Sequence, residues 1–282
     1  MSEASSEVAV RPRRVRGDGV DLAVFEQGDP ARPTVLLVHG YPDTHAVWDG
    51  VAGLLARDHH VVRYDVRGAG DSAHPPGTRA YAFEHLMADL RAVLDAVAAG
   101  PVHLAGHDWG SIQAWEAVCT MPDRFASFTS ISGPCLDHVG RLNRRDPRVA
   151  AGQLVRSWYI PLFRIPVLPE ALWRGGLARA CAPVLRPGRG PALARDAVAG
   201  LGLYRANMAD RLGAPRERRT AVPTQVIVPL RDAFVSPRLV TGLREWAPDL
   251  TLRRLDVGHW APRTRPGPIA GWIAEHAARA GR

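Results

Sequence analysis

Residues 102–115, VHLAGHDWGSIQAW, constrain the fold more than any other part of the chain. An apolar run through Val102, Leu104 and Ala105 enters Gly106-His107-Asp108-Trp109-Gly110, and a helix-like pattern follows. This layout describes a strand, a very sharp turn and a helix, with the central side chain of the turn standing at its tip. Glycine suits the positions two residues either side of the tip, because a Cβ at either would collide with the neighbouring strand or helix. The tip residue is Asp108, a carboxylate. By itself the spacing also fits a plain strand-to-helix turn in a Gly-rich chain, so its weight depends on what lies downstream.

The surrounding pattern supplies the sheet. Residues 1–17 are polar and Arg-rich and are expected to form a disordered tail. Val20, Leu22 and Val24 alternate as in a half-buried strand. TVLLV at 34–38 is apolar throughout, fit for a strand buried on both faces. A helix is expected near 46–55, a strand at 61–65, a helical stripe at 83–98 and a strand at 126–132. Strands alternating with helices indicate a mostly parallel sheet covered on both faces. From residue 135 to about 221 the rhythm breaks into Pro- and Arg-rich segments with helical pieces such as 191–203. This stretch reads as a helical lid inserted between core segments 18–134 and 222–282. The sheet resumes at 224–230, with a helix near 237–246, a strand at 251–256 and a last helix at about 268–280.

Composition narrows the partners. The chain has 282 residues and 46% hydrophobic content, enough for one large α/β domain with a substantial core. Its charge of +8 comes from 36 basic residues that are all Arg, which reads as compositional bias rather than a binding surface. RPRRVR at 11–16 and RERR at 216–219 lack interleaved aromatics and any nucleic-acid motif, so no nucleic-acid partner is expected. Three cysteines at irregular spacing fit neither a disulfide framework nor a zinc site. No signal-peptide core or membrane-length apolar run is visible, so a cytoplasmic setting is expected, with no metal or cofactor.

Two further residues stand where strands are expected to end. Asp232 follows TQVIVPL, and His259 follows TLRRLD. Nucleophile, acid and histidine, each after a successive strand, occur in the order of the α/β-hydrolases. Carboxyl ends of parallel strands converge on one crevice, so the three side chains can meet there. A carboxylate nucleophile is ionised at neutral pH and needs no base to activate it. It can attack an sp³ carbon bearing a strained or good leaving group and form an alkyl ester. His259 can then deprotonate the water that hydrolyses the ester, with Asp232 fixing its tautomer. The backbone N–H groups of Trp109 and Tyr41 are placed to hold the oxyanion.

HGYP at 39–42, DVRGAGDS at 65–72 and GHDWG at 106–110 together resemble the α/β-hydrolase-fold epoxide hydrolases. ASFTSISGP at 126–134 and GHWAP at 258–262 make the chain similar to the hydrolase half of actinobacterial chains that fuse an epoxide hydrolase to a short-chain dehydrogenase. The resemblance covers nearly the whole chain past the tail, and no dehydrogenase half is expected within these 282 residues. It implies two lid tyrosines that protonate the epoxide oxygen. SWYIPLFRIPVLPE and GLYRANM resemble the two segments concerned, which assigns the roles to Tyr159 and Tyr204. A phenol can hydrogen-bond the oxygen and release its proton as the C–O bond breaks.

The substrate implied is a small lipophilic epoxide, hydrolysed to a vicinal diol, and a homodimer is compatible with the sequence. Trp158, Leu162, Phe163, Ile165, Val167 and Leu168 make the lid apolar enough to line a channel or to dock it on the core. His107 and Trp48 read as packing residues, and the RGAGDS turn as shaping the sheet edge. A haloalkane dehalogenase would share the Asp nucleophile, but commonly has Asn after His-Gly where this chain has Tyr41. Fluoroacetate-type dehalogenases prefer Arg where Trp109 stands. A non-catalytic ligand-binding module would keep the fold without needing the acid, the histidine or the tyrosines. Ring opening by an internal nucleophile would give a cyclic product instead of a diol.

Overall fold

The computed structural model describes residues 9–185 and 190–281. Among them the chain forms eight strands. These are β1 (Arg11–Arg16), β2 (Asp21–Gln27), β3 (Thr34–Val38), β4 (His60–Tyr64), β5 (Val102–His107), β6 (Phe125–Ile131), β7 (Thr224–Pro229) and β8 (Leu250–Leu255). They form one sheet in the order β1-β2-β4-β3-β5-β6-β7-β8. β3 to β8 are parallel, and β2 pairs antiparallel with both β1 and β4. The core helices are α1 (Asp49–Leu55), α2 (Phe83–Val97) and α3 (Trp109–Thr120). The lid helices are α4 (Leu136–Arg145), α5 (Pro147–Arg156), α6 (Tyr159–Arg164), α7 (Leu168–Leu172), α8 (Ala178–Leu185) and α9 (Gly190–Gly213). α10 (Ala261–Thr264) and α11 (Pro266–Ala280) close the chain. No helix of the described residues is long and apolar enough to cross a membrane.

Strand periodicity explains the layering. Side chains alternate between faces, so Val35, Leu37, Val61, Ala105, Ile131 and Ile227 pack with α1 and α11 on one side. Leu36, Val38, Val62, Leu104 and Phe128 pack with α2 and α3 on the other. From β3 the chain moves to β4 on one side and then to β5 on the other. Ligands of open α/β sheets bind outside the strand ends at such a reversal. The loops after β3 and β5 carry Tyr41 and Asp108 to that place.

Two expectations need correction. The tail expected over residues 1–17 is ordered in part: residues 11–16 form β1, and residues 1–8 lie outside the described residues. Only Val15 of β1 is buried, while Arg13 and Arg16 reach Glu26 and Asp21 on β2. An edge strand meets water along one rim, so a charged sequence is tolerated there and discourages further pairing. Residues 237–246, expected as a helix, form two 3₁₀ turns, Pro237–Val240 and Leu243–Glu245. Gly242, at φ 73°, lies between them and breaks any continuous helix.

The lid is held over the strand ends by polar contacts as well as packing. Leu193, Ala197, Leu201, Tyr204 and Met208 of α9 are buried, spaced at helical intervals. On the same helix Arg211 bonds Glu116 at 2.8 Å and Asp137 at 2.9 Å, tying α9 to α3 and α4. Asn207 accepts from Phe83 N and donates to Tyr81 O, both at 2.9 Å. Asp196 accepts from Gly70 N at 2.9 Å, so the RGAGDS turn also meets the lid.

Candidate active site

β5 ends and α3 begins within one residue, Asp108, which has φ 52° and ψ −123°. That conformation is rare for a non-glycine residue and costs on the order of 1–3 kcal/mol. Hydrogen bonds from Asp108 N to Ile131 O and from Ile112 N to Asp108 O, both 3.0 Å, hold it in place. A Cβ on Gly110 would overlap the carbonyl of Val38, and one on Gly106 would overlap that of Gly110. The turn is therefore as tight as the sequence requires, and it lifts the carboxylate clear of the sheet.

The two oxygens of Asp108 face different partners. Oδ1 accepts from Tyr41 N at 2.7 Å. Trp109 is the first residue of α3, and its N–H belongs to the helix turn that has no intrahelical acceptors. The Tyr41 loop is braced by His39, whose Nδ1 donates to Gly40 O at 2.9 Å while Nε2 accepts from Val66 N at 3.0 Å. Oδ2 of Asp108 lies 3.6 Å from His259 Nε2.

On its far side, His259 Nδ1 lies 2.9 and 3.1 Å from the Asp232 oxygens. Asp232 is buried, and its Oδ1 accepts from Phe234 N at 2.8 Å and Val235 N at 3.0 Å. Burial would raise its pKa, but the bond and charge of His259 and the two amides outweigh it and leave the pKa lowered. Burial would depress His259; the carboxylates of Asp108 and Asp232 more than reverse this and lift it to about 10. His107 is driven the other way, to about 4, by burial and by the neighbouring His259. It is a neutral packing residue whose Nε2 meets His259 O at 3.0 Å and whose ring lies 6.4 Å from that of Trp48.

Tyr159, at the start of α6, and Tyr204, on α9, line one cavity of about 400 Å³ together with Asp108 and Trp109. The remaining walls are mainly apolar and include Ile112, Leu136, Val139, Met208 and Leu239. The two phenol rings meet edge to face at 6.1 Å, and Tyr204 packs on Trp109 at 5.0 Å. Burial raises both phenol pKa values, and the Asp108 charge raises them further. Both hydroxyls therefore keep their protons across the working pH range.

Sequence reading missed several residues here. Phe234 packs edge-on to His259 at 5.0 Å and to Tyr159 at 5.7 Å. Trp260 lies 5.0 Å from His259 and donates to Asp43 at 2.8 Å. Gln153 of α5 donates to Phe234 O at 2.8 Å and accepts from Ser236 N at 2.9 Å. Proximity to Asp232 and His259 was the signal available for Phe234 and Trp260; Gln153 offered none. The apolar lid residues also divide differently from the channel expectation. Ile160 and Pro161 line the cavity. Phe163 is buried against Tyr41 and Tyr204, whereas Trp158 and Val167 are 70% and 74% exposed.

Known proteins share this architecture. Residues 33–166 match the model of the alpha/beta hydrolase fold family. The "Probable oxidoreductase EphD" of Mycobacterium tuberculosis is 38% identical over 284 residues, covering 92% of this chain and 48% of that protein. "Epoxide hydrolase A" of the same organism is 34% identical over 174 residues, 59% of this chain and 52% of its own. The chain thus spans about half the length of the curated relatives it matches. Among solved structures, epoxide hydrolase VrEH1 from Vigna radiata superposes with a TM-score of 0.80 at 24% identity, over 96% of this chain and 98% of that one. The Bacillus megaterium epoxide hydrolase in complex with an inhibitor gives 0.82 at 21% identity, over 94% and 100%. Strand order, the sharp turn at Asp108 and the matches agree: the chain has the α/β-hydrolase fold and is similar in sequence to proteins named as epoxide hydrolases.

Proposed function

We propose that the protein is an epoxide hydrolase that converts a lipophilic epoxide to a vicinal diol through an ester on Asp108. One observation carries this reading above the others: Asp108, Tyr159 and Tyr204 share a single apolar cavity. An epoxide there lies between a nucleophile and two protonated phenols. Oδ2 of Asp108 attacks a ring carbon, the C–O bond breaks, and the departing oxygen takes a tyrosine proton. Without that donor the opening ring would leave a strongly basic alkoxide.

Hydrolysis then uses the other side of the carboxyl group. A water gives its proton to His259 Nε2 and its hydroxyl to Cγ of Asp108. The negative charge develops on Oδ1, which already accepts from Tyr41 N. The Trp109 N–H supplies a second donor, and one such donor is worth ~10²–10³ in rate. Collapse breaks the Cγ–Oδ2 bond, and His259 returns its proton to the leaving diol oxygen. The carboxyl proton brought by the water passes to the tyrosinate left by ring opening, which restores the carboxylate and the phenol.

Single turnover in isotopically labelled water tests the scheme. Label is expected in the carboxyl group of Asp108 after one cycle. Label reaching only the product, or full turnover by Asp108→Asn, would sink it. Measuring diol against halide release separates hydrolysis of epoxides from dehalogenation, for which the paired tyrosines have no use.

A further inference from the structure

Eight of the eleven large hydrophobic residues exposed among the described residues fall between positions 154 and 177. Val155, Trp158 and Val167 are 75%, 70% and 74% exposed, and Ile165, Leu168 and Leu172 are 45%, 44% and 42% exposed. They follow one another along α5, the turn to α6, the α6–α7 link and α7. Apolar surface concentrated in this way marks an interaction site rather than ordinary scatter. Val167 strengthens the point, since a β-branched residue at φ 68° is strained as well as exposed. A chain selected only for stability would place glycine or asparagine there.

The charge on this face is one-sided. Residues 147–185 contain Arg148, Arg156, Arg164, Arg174 and Arg179 against a single carboxylate, Glu170. Glu170 is bonded by Arg205 at 2.5 Å. Arg148, Arg164, Arg174 and Arg179 are exposed. Arginine can lay its aliphatic stem on apolar surface and keep its guanidinium at the level of polar headgroups. The face also meets the cavity: Ala151, Leu154 and Pro161 are exposed and line the space that reaches Asp108.

We infer that the outer face of α5 to α7 docks on an anionic lipid surface, with the mouth of the cavity turned toward the lipid. An apolar surface with an exposed tryptophan and exposed arginines is the composition that lies in a membrane interface. A second copy of the chain is a poorer occupant. A two-fold contact sets the same patch against itself, and here it would oppose arginines with arginines. A lipid surface accepts both the apolar residues and the charge. Docking is independent of the reaction proposed above; only the delivery of lipid-dissolved epoxide into the cavity rests on it.

Sedimentation with phosphatidylglycerol-rich vesicles, against pure phosphatidylcholine vesicles, tests the docking without any turnover. Binding is expected to the anionic vesicles, weaker to the neutral ones, and reduced but not abolished by salt. Trp158→Ser with Val167→Ser should weaken it by about tenfold or more. Arg164→Glu with Arg174→Glu should do at least as much, at roughly fivefold per charge removed. Arg164 and Arg174 do not line the cavity, so turnover of a small water-soluble epoxide by the charge-reversed pair should not change. Failure of the wild-type protein to bind anionic vesicles overturns the inference, as does binding indifferent to both variant pairs. So does a dimer in sedimentation velocity that Trp158→Ser dissolves while vesicles are ignored. Vesicle binding by a protein that opens no epoxide would leave the surface standing and remove the reaction instead.

Discussion

His259 sits between two carboxylates, and on the proposed scheme one of them is consumed when an ester forms on Asp108. Replacing Asp108 by Asn imitates the ester, because it removes the charge and keeps a carbonyl oxygen for Tyr41 N. Asp108 Oδ2 lies 3.6 Å from His259 Nε2. With an effective dielectric of ~20, a unit charge at that distance is worth ~5 kcal/mol, or about three orders of magnitude in proton affinity. The imidazole, held at about 10 in the free protein, is therefore expected to titrate near ~7 once the charge is gone. On the proposed scheme it would be a cation while the epoxide is attacked and a competent base only after the ester exists. His107, held neutral at about 4, adds no competing charge. An NMR titration of the His259 ring in the two proteins measures this. The wild-type ring should stay protonated past pH 8, and the Asp108→Asn ring should lose its proton near neutrality. Equal titration in both proteins, or a wild-type midpoint near that of a free imidazole, would refute the charge-gated sequence.

The same linkage predicts stability. A raised histidine pKa stabilises the fold fully below the unfolded value of ~6.5 and loses that contribution as pH rises through about 10. Thermal melts should therefore show wild-type stability falling between pH 7 and 10 by up to roughly 5 kcal/mol; in Asp108→Asn the loss should be smaller and complete near neutrality. Tyr159→Phe and Tyr204→Phe should each lower kcat toward the low end of the ~10²–10⁴ range for general acids, with the double variant losing far more. Steady-state rates that are unchanged in the double variant would remove the phenols from the mechanism. Arg211→Met leaves Glu116 and Asp137 dependent on Arg218. A loss of about 3 kcal/mol is expected in chemical denaturation, with kcat falling too because α9 carries Tyr204.

The sharp turn at Asp108 was legible because its two glycines, polar tip and apolar run are local, and Asp232 and His259 downstream separated it from a plain strand-to-helix turn. Asp232 and His259 were legible because strand ends converge in a parallel sheet, whatever the intervening sequence. The lid resisted for a different reason. The lid helices before α9 have 5–10 residues and bury only part of their surface, so periodicity does not say which apolar side faces the core. Phe163 and Trp158 are equally greasy in the sequence, yet one packs under Tyr41 and Tyr204 and the other stands in solvent. β1 escaped notice because the partner strand, not its own side chains, makes it a strand: five of its six residues are exposed. Pairing across a sheet edge leaves little trace in composition.

Gln153 shows what contact geometry adds beyond any pattern in the chain. Its amide reaches from lid helix α5 to the segment after Asp232, donating to Phe234 O and accepting from Ser236 N. The amides of Phe234 and Val235 in turn hold the Asp232 carboxylate that orients His259. Gln153 thus touches none of the reacting atoms and positions one that does. Gln153→Leu keeps approximate bulk and removes both bonds together with the one Gln153 donates to Ser157 Oγ, each worth about 0.5–1.5 kcal/mol. A purely structural role would lower the melting temperature and leave the pH profile of the surviving enzyme alone. A positioning role loosens the Asp232–His259 contact and lowers the His259 pKa, so the acidic limb of the kcat profile, set by protonation of this base, should move to lower pH. Gln153→Glu retains the acceptor for Ser236 N but not the donor for Phe234 O, and should fall between the two. A profile of unchanged shape in both variants would leave Gln153 as a strut between lid and core and nothing more.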